Sequence, residues 1–455
     1  MAIQSINPAT GELIKSYEDI SPDDIKETIS KAHQAFLDWR QTTFAQRADH
    51  MRQVAALLRE RANELAQLMA AEMGKPIKDG RAEAEKCAWV CEYYAEHAEP
   101  FLQPEPVATE ASRSYVTFQP LGVVCAVMPW NFPFWQVFRF AAPALMAGNA
   151  AVLKHASNVP GCALAIEALF RHAAFPAHLF RTLLIGSQQM AAVIAHPLVR
   201  AVTLTGSTPA GQAVAQQAGA LIKKTVLELG GSDPYVILAD ADLDQAVEAC
   251  VTGRLINGGQ SCIAAKRFIV EAPILEAFTE RMVAQMQGIS PGDPMDEGTV
   301  LGPMARHELR DDLHGQVMAS IAAGAQCVLG GKIPPGKGAY YPPTVLTNVS
   351  KGMPAYHEEL FGPVAAIITA PDERSAIEIA NDSEFGLGAA IFTRDVAKGE
   401  RLAAEALDAG CCFVNAFVKS DPRLPFGGVK TSGYGRELSH YGIKEFVNIK
   451  TVYVS

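Results

Sequence analysis

The chain has 455 residues, of which 49% are hydrophobic and 19% charged, and it carries a net charge of −10. This length predicts two or three domains rather than one core. The negative charge gives no bulk attraction to nucleic acids or anionic membranes, so roles that depend on those partners are not expected.

The N-terminal segment, residues 1–8, has no basic stretch followed by an apolar core, which predicts a cytoplasmic protein without a secretory signal. The longest apolar region, residues 121–153, is interrupted by prolines and polar residues and is not expected to span a membrane. The nine cysteines are therefore expected as reduced thiols. Their spacing from histidines does not fit a zinc site, and no metal is predicted.

The first hundred residues are predicted to be helical. Ser21 is a candidate N-cap and Pro22 a candidate first helical residue, with acidic residues in the following turn. A single amphipathic helix is predicted over residues 45–73, ended by Gly74. A third helix is expected to begin near Arg81.

An α/β pattern follows the prolines at positions 104 and 106. Residues 114–118 alternate in the manner of a strand and suit a projecting ribbon. Apolar strands are predicted in two series that alternate with helices: 122–128, 150–154, 201–205 and 225–229, then 235–238, 267–271, 363–368 and 389–392. This order predicts an α/β fold with two doubly wound parallel sheets.

Cys262 is the candidate nucleophile, because it follows a Gly-rich stretch whose sequence has neither helical nor strand periodicity. A thiol attacks a carbonyl only as a thiolate, so its pKa of roughly 8.5 must fall or a base must take its proton. Glu228, in the segment 227–231, is the candidate base. The other cysteines are expected mainly as small buried hydrophobic residues. A cofactor-free thiol acyltransferase or hydrolase could use the same pair and stays an alternative at this point.

Three further segments suggest a nucleotide site. In the sequence MPWNFP at 128–133, prolines and aromatic residues hold Asn131 at a strand end, where a rigid amide suits an oxyanion hole. The turn from Thr205 to Ser207 joins a strand to a helix and can bind phosphate, although Ser207 could equally be only an N-cap. Lys154 ends a strand at a position from which it could reach a ribose or phosphate.

Together these segments resemble the NAD(P)-dependent aldehyde dehydrogenase superfamily, and the resemblance covers essentially the whole chain. The matching motifs are, in order, MPWNFP at 128–133, Lys154, TGS at 205–207, ELGG at 228–231, GQSC at 259–262, ELFGP at 359–363 and PFGGVKTSGYGRE at 425–437. Within the superfamily the chain looks most like bacterial succinate semialdehyde dehydrogenases of the Sad/YneI type. They share the KHA sequence at 154–156 and the RELSHYG sequence at 436–442.

The resemblance implies that Cys262 is the nucleophile, that Glu228 activates the deacylating water, and that Asn131 and the Cys262 amide form the oxyanion hole. It implies contacts with NAD or NADP at Trp130, Lys154, Ser157, Gly206, Ser207, Glu359 and Phe361. The product would be a carboxylic acid, most simply succinate. A CoA-acylating dehydrogenase is less favoured, because Glu228 is retained and indicates water as the acyl acceptor.

The fold implied has a dinucleotide-binding domain at 1–101 and 121–230, a catalytic domain at 231–435, and a small β-ribbon at 102–120 and 436–455. The ribbon would be the oligomerisation element, because an exposed strand edge calls for a partner, and it predicts a homodimer or homotetramer.

The predictions of cofactor preference and of substrate depend on fewer residues. Family members that are strict for NAD+ usually have Glu where this chain has Ser157, so both NAD+ and NADP+ are expected to bind. Arg139, within an apolar run, is the predicted ligand of a substrate carboxylate, although an internal carboxylate could meet it instead. The second arginine common in succinate semialdehyde dehydrogenases is Ile256 here, and Ser420 and Arg423 are the predicted replacements. This departure leaves another aldehyde, such as glutarate semialdehyde, or a broader specificity, as an alternative.

Overall fold

The structure, a computed structural model, describes residues 3–455 as an α/β protein. The helices are α1 (Pro22–Trp39), α2 (Phe44–Glu60), α3 (Ala62–Met73), α4 (Ile77–Phe101), α5 (Trp135–Met146), α6 (Pro160–His172), α7 (Met190–Ala195), α8 (Thr208–Ala220), α9 (Leu243–Leu255), α10 (Leu275–Gln287), α11 (His307–Ala322), α12 (Pro354–His357), α13 (Glu373–Asn381), α14 (Val396–Glu405) and α15 (Ser439–Ile443). The strands are β1 (Ile3–Ile6), β2 (Leu13–Tyr17), β3 (Glu105–Pro106), β4 (Arg113–Pro120), β5 (Val123–Met128), β6 (Ala150–His155), β7 (Phe180–Thr182), β8 (Val199–Thr205), β9 (Lys224–Glu228), β10 (Pro234–Ile237), β11 (Arg267–Glu271), β12 (Gln326–Leu329), β13 (Thr344–Thr347), β14 (Val364–Ala370), β15 (Gly388–Phe392), β16 (Cys411–Val414), β17 (Gly433–Tyr434) and β18 (Val447–Val454).

A six-stranded sheet in the order β17-β9-β8-β5-β6-β7 carries most of the predicted nucleotide site. Its strands run parallel except for β17, which pairs antiparallel with β9 through Gly433 and Tyr434. Glu228 ends β9, Lys154 is the penultimate residue of β6, and Asn131 follows β5. Because the strands are parallel, their carboxyl ends bring these residues to one edge of the sheet.

The second large sheet has seven strands in the order β12-β13-β14-β11-β10-β15-β16. All of its pairings are parallel except that of β12 with β13. Cys262 lies in the loop between α9 and β11, at the edge that faces the first sheet's site. The two doubly wound sheets confirm the predicted α/β fold.

A small ribbon in the order β18-β4-β3 projects from these layers. Strand β18 pairs antiparallel with β4 over its whole length, from Val447 opposite Pro120 to Val454 opposite Arg113. The predicted ribbon strand at 114–118 and the C-terminal strand are thus partners. No helix in residues 3–455 has both the length and the apolar character that crossing a membrane requires.

The N-terminal region departs from the prediction in three ways. The single helix predicted over 45–73 is two helices, because Arg61 leaves the helical conformation (φ −99°, ψ 11°). Helix α4 begins at Ile77, one turn before Arg81. The hairpin β1-β2 was not predicted, since its second strand is largely exposed and shows no alternation of apolar and polar residues. The caps at Ser21 and Gly74 are confirmed, and Gly74 adopts φ 77°.

Candidate active site

Three adjoining clefts form one continuous trench. The inner cleft is lined by residues that include Lys75, Lys86, Trp135, Arg139, Cys262 and Ser420. The central cleft is lined by residues that include Asn131, Gly206, Ser207, Cys262, Glu359 and Phe361. The outer cleft is lined by residues that include Lys154, Ser157, Asn158, Ser187 and Gln188. Cys262 belongs to both the inner and the central cleft, and Trp130 and Arg306 belong to both the central and the outer cleft.

The loop before Cys262 turns sharply because three successive residues adopt left-handed conformations. Asn257, Gly258 and Gly259 have φ values of 52°, 64° and 76°. At Gly259 a Cβ atom would lie 2.2 Å from the carbonyl oxygen of Gly362, so a larger residue could not occupy this position without moving the backbone. The Gly-rich sequence therefore reflects close packing of the loop against the segment before β14.

Two buried cations hold this loop in place. Arg254 donates a hydrogen bond of 2.8 Å to the carbonyl of Gly259. The ammonium of Lys266 donates to the carbonyls of Ser261, at 2.9 Å, and Cys262, at 2.7 Å. Burial raises the pKa of the Cys262 thiol to about 12, although the charges of Arg139 and Lys266 oppose this effect. The thiol is protonated in this state, so attack on a carbonyl needs a group that accepts its proton.

Asn131 is buried next to the loop and fixed by hydrogen bonds in two directions. Its side-chain Nδ2 donates to the backbone carbonyl of Gln260 at 3.0 Å. Its backbone carbonyl accepts a hydrogen bond from Asn257 Nδ2 at 2.7 Å. Within the described part of the chain the backbone amide of Cys262 donates to no protein acceptor. One amide N–H of Asn131 and the amide of Cys262 can therefore serve as donors to a bound oxyanion.

Glu228 lies at the end of β9 with only 1% of its surface exposed. Neither carboxylate oxygen has a hydrogen-bond partner among residues 3–455. Burial raises the pKa of Glu228 well above its usual value; the charge of Arg139 lowers it and that of Glu437 raises it further. Its charge also contributes to the raised pKa of Cys262. A carboxylate with a raised pKa is a stronger base, which suits a role in proton transfer.

Arg139 has an internal partner that the sequence did not identify. Its guanidinium forms an ion pair with Glu437, and the two side chains are only 1% and 4% exposed. It also donates to Thr205 Oγ1 at 3.3 Å and lies over the ring of Phe426 at 4.6 Å. Arg139 lines the inner cleft as predicted, but a carboxylate of the protein already meets its charge.

We expect Arg139→Gln to lower the free energy of unfolding by about 3 to 5 kcal/mol, because it leaves the buried Glu437 carboxylate without its partner. Urea unfolding followed by tryptophan fluorescence measures this loss. The double variant Arg139→Gln/Glu437→Gln should regain part of it, since no uncompensated charge remains. A single variant as stable as the wild type would show that the pair contributes nothing to folding.

The two other predicted substrate residues lie in different surroundings. Ser420 lines the inner cleft, and its hydroxyl accepts a hydrogen bond of 2.8 Å from Lys86 Nζ. The structure does not bring Arg423 to that cleft. Its exposed guanidinium binds Asp421 at 2.7 Å and lies over the ring of Trp89 at 5.5 Å. The pairing with a near neighbour in sequence holds Arg423 at the surface.

All seven predicted cofactor residues line the central or outer cleft. The rings of Trp130 and Phe361 meet edge to face with centroids 5.8 Å apart. Glu359 accepts from the Gly231 amide at 3.0 Å and lies 3.3 Å from Lys266 Nζ. These contacts fix both walls of the central cleft.

The turn before α8 contributes Gly206 and Ser207 to the lining of the central cleft. Ser207 occupies the N-cap position, but its side chain makes no capping hydrogen bond. The hydroxyl therefore remains available in the central cleft, where the N-terminus of α8 also favours an anion. Ser207 lines the central cleft and Lys154 lines the adjoining outer cleft.

Several charged residues of the site were missed from the sequence, and Lys86, Arg306 and Glu437 are examples. Lys86 lies on α4 and Arg306 just before α11, where neither belongs to a recognised motif. Glu437 belongs to the motif at 425–437, which could have indicated it, but its partner Arg139 is remote in sequence. Only the folded chain brings these charges to the trench.

Comparison with known proteins agrees with this geometry. The model of the aldehyde dehydrogenase family matches residues 1–452. A probable succinate-semialdehyde dehydrogenase (NADP+) of Synechocystis is 50% identical over 455 residues, which is all of both chains. The succinate semialdehyde dehydrogenase (NAD(P)+) Sad of Escherichia coli is 50% identical over 449 residues, covering 99% of this chain and 97% of its own. The solved structure of succinic semialdehyde dehydrogenase from Streptococcus pyogenes with NADP+ is 38% identical, with a TM-score of 0.97 and full coverage of both chains.

Proposed function

Because the chain belongs to the aldehyde dehydrogenase family, we propose that it oxidises succinate semialdehyde to succinate with NADP+ or NAD+. The observation that carries this proposal is the position of Cys262, which lines both the cleft that contains Lys86 and Arg139 and the cleft that contains Ser207. An aldehyde with a distant carboxylate could enter from the cationic side. The hydride acceptor would bind on the other side of the same sulfur.

The bound nicotinamide would supply the hydride acceptor, and the other steps fall to the protein. A base takes the proton of the Cys262 thiol, and this proton is the one released in the net reaction. The thiolate attacks the aldehyde carbon, and the Asn131 amide and the Cys262 backbone N–H stabilise the oxyanion. With the nicotinamide bound as acceptor, loss of hydride from the thiohemiacetal would leave a thioester on Cys262. Glu228 takes a proton from water, which attacks the thioester, releases the acid and restores the thiol. The sum is aldehyde, water and NAD(P)+ converted to acid, NAD(P)H and a proton.

The cofactor contacts in this proposal are those of the central and outer clefts. Lys154 and Ser157 would bind the adenosine ribose, while Gly206 and Ser207 would bind the pyrophosphate and the nicotinamide end. Glu359 would bind the nicotinamide ribose, with Phe361 and Trp130 against the ring. A cofactor-free acyltransferase would need none of these residues, and the continuous trench therefore favours the dehydrogenase.

A panel of aldehydes tests the substrate. We expect kcat/KM for succinate semialdehyde to exceed that for butanal by at least about tenfold, because a charged hydrogen bond to the carboxylate contributes roughly 1.5 to 3 kcal/mol. Glutarate semialdehyde tests the alternative of a longer substrate. Equal values for succinate semialdehyde and butanal would contradict the proposed substrate, whereas turnover of every aldehyde would still support a dehydrogenase.

We expect Ser157→Glu to weaken NADP+ selectively, because a carboxylate in the outer cleft would repel the 2′-phosphate and accept hydrogen bonds from the ribose hydroxyls of NAD+. The KM for NADP+ should rise by at least about tenfold, which is roughly 1.4 kcal/mol. The KM for NAD+ should stay within about twofold. Steady-state kinetics with each cofactor measure both values, and equal increases would contradict the placement of Ser157 beside the 2′ position.

We further propose that residues 1–101 and 121–230 form the cofactor domain, 231–435 the catalytic domain, and 102–120 with 436–455 an oligomerisation element. Strand β18 is an edge of its sheet and exposes Ile449 and Tyr453, which supports pairing with a second copy. Light scattering should then give two or four times the mass of one chain.

A further inference from the structure

The cations that line the inner cleft differ in whether the protein neutralises them. Lys75 forms a buried ion pair with Glu83, and Arg139 forms one with Glu437. The inner cleft also contains Asp79, whose pKa is raised by burial and lowered by the charges of Lys75 and Lys78. Two further cations, Lys86 and Lys419, line the same cleft.

Of these two lysines, Lys86 is half-buried, whereas Lys419 is exposed and lies over the ring of Phe417. Among residues 3–455 no carboxylate oxygen lies within 4.0 Å of Lys86 Nζ. Its ammonium donates to Ser420 Oγ at 2.8 Å and lies 4.3 Å from the centroid of the Trp135 ring. A hydroxyl and an aromatic face orient this charge without neutralising it.

An ammonium has three N–H donors, and the hydroxyl of Ser420 uses one of them. The same hydroxyl can rotate to donate to an incoming oxygen. Lys86 and Ser420 thus present adjacent donors to the cleft that contains Cys262. A partly desolvated ammonium that lacks an internal anion is best satisfied by an anionic ligand.

We propose that Lys86, together with Ser420, binds the carboxylate of the semialdehyde substrate while its aldehyde carbon lies at Cys262. This assignment rests on the proposed function and changes its specificity residues. Lys86 takes the role predicted for Arg423, whose charge is paired with Asp421 outside the cleft. Arg139 contributes to the positive wall, but its bond to Glu437 limits what it offers to a ligand.

The charge of Lys86 should also be visible in the pH dependence of specificity. Burial, and to a smaller extent the charge of Arg139 on α5, lowers the pKa of Lys86 to about 8, while Cys87 and Glu83 on its own helix and Asp421 in the facing loop oppose this shift. The ammonium is present below that pKa and is lost as the pH rises through it. The ratio of kcat/KM for succinate semialdehyde to that for butanal should therefore fall above about pH 8. Titration of Cys262 or Glu228 changes kcat/KM for both aldehydes alike, so it does not change this ratio.

The test compares Lys86→Met, Lys86→Arg and the control Lys78→Met in the full-length enzyme. Lys78 is an exposed lysine on the same helix, outside the inner cleft. We expect Lys86→Met to lower kcat/KM for succinate semialdehyde roughly 10- to 100-fold, mainly through KM, with less than a threefold change for butanal. Lys86→Arg should keep most of the preference and remove its decline above pH 8, because the guanidinium stays charged. Lys78→Met should match the wild type.

The outcomes separate this proposal from the proposed function. A wild-type enzyme without preference for succinate semialdehyde over butanal would contradict the proposed substrate. A wild-type preference that persists in Lys86→Met would overturn the role of Lys86 alone. Equal losses for both aldehydes in Lys86→Met, with an unchanged melting temperature, would also overturn it, since a carboxylate contact acts only on the charged substrate.

Discussion

Cys262→Ala is expected to reduce aldehyde oxidation by at least about 10⁴-fold, because a missing nucleophile removes the covalent step that all later steps require. Binding of NADP+ should stay within about threefold, since the outer cleft and the turn at Ser207 are untouched. Absorbance of the reduced cofactor measures the first effect, and quenching of protein fluorescence by NADP+ measures the second.

Cys327→Ala is a matched control for this variant. Cys327 is also a free, partly exposed cysteine, but it lies in β12, outside all three clefts of the trench. The Cys327→Ala variant should retain wild-type activity. If Cys262→Ala kept more than trace turnover, another thiol would have to be the nucleophile.

Glu228→Gln should separate acylation from deacylation. The amide has nearly the shape of the carboxylate but cannot accept a proton, so hydrolysis of the thioester should slow by about 10² to 10⁴-fold. Hydride transfer precedes that step and should continue. Stopped-flow absorbance should therefore show a burst of about one reduced cofactor per active site, followed by slow turnover.

A stopped-flow trace without a burst would assign Glu228 to an earlier step. A trace with no burst and a slowed first turnover would show that Glu228 acts before hydride transfer, for example by taking the proton of Cys262. The raised pKa values of the two groups make such an early role chemically possible, and the burst decides between the two.

Local sequence was enough to predict the parts of the fold that depend on local patterns. The buried parallel strands are continuous apolar runs, and the caps at Ser21 and Gly74 are set by single residues. The break at Arg61 was not predictable in this way, because the apolar positions continue on both sides of it. The hairpin β1-β2 forms through pairing of its two strands, and β2 shows no alternation of apolar and polar residues that would have indicated it.

The site was predicted best where a motif fixes the backbone. The strand end at Glu228 and the left-handed turn before Cys262 are examples. Cys262 lines the trench, and Glu228 directly precedes Leu229 and Gly230, which line the central cleft. The partners of the charged residues were not predictable, because Glu437 is remote in sequence from Arg139, and Ser420 lies 334 residues after Lys86. The catalytic roles, the domain boundaries, the oligomeric state and the cytoplasmic location stay predictions.

Trapping the thioester tests most directly whether Cys262 is the nucleophile. Glu228→Gln enzyme is mixed with succinate semialdehyde and NADP+, quenched in acid within the burst, and digested for mass spectrometry. We expect one succinyl group on the peptide that contains Cys262, and none on the peptides with the other eight cysteines. A burst of reduced cofactor with the acyl group on a different cysteine, or with no acylated peptide at all, would contradict it.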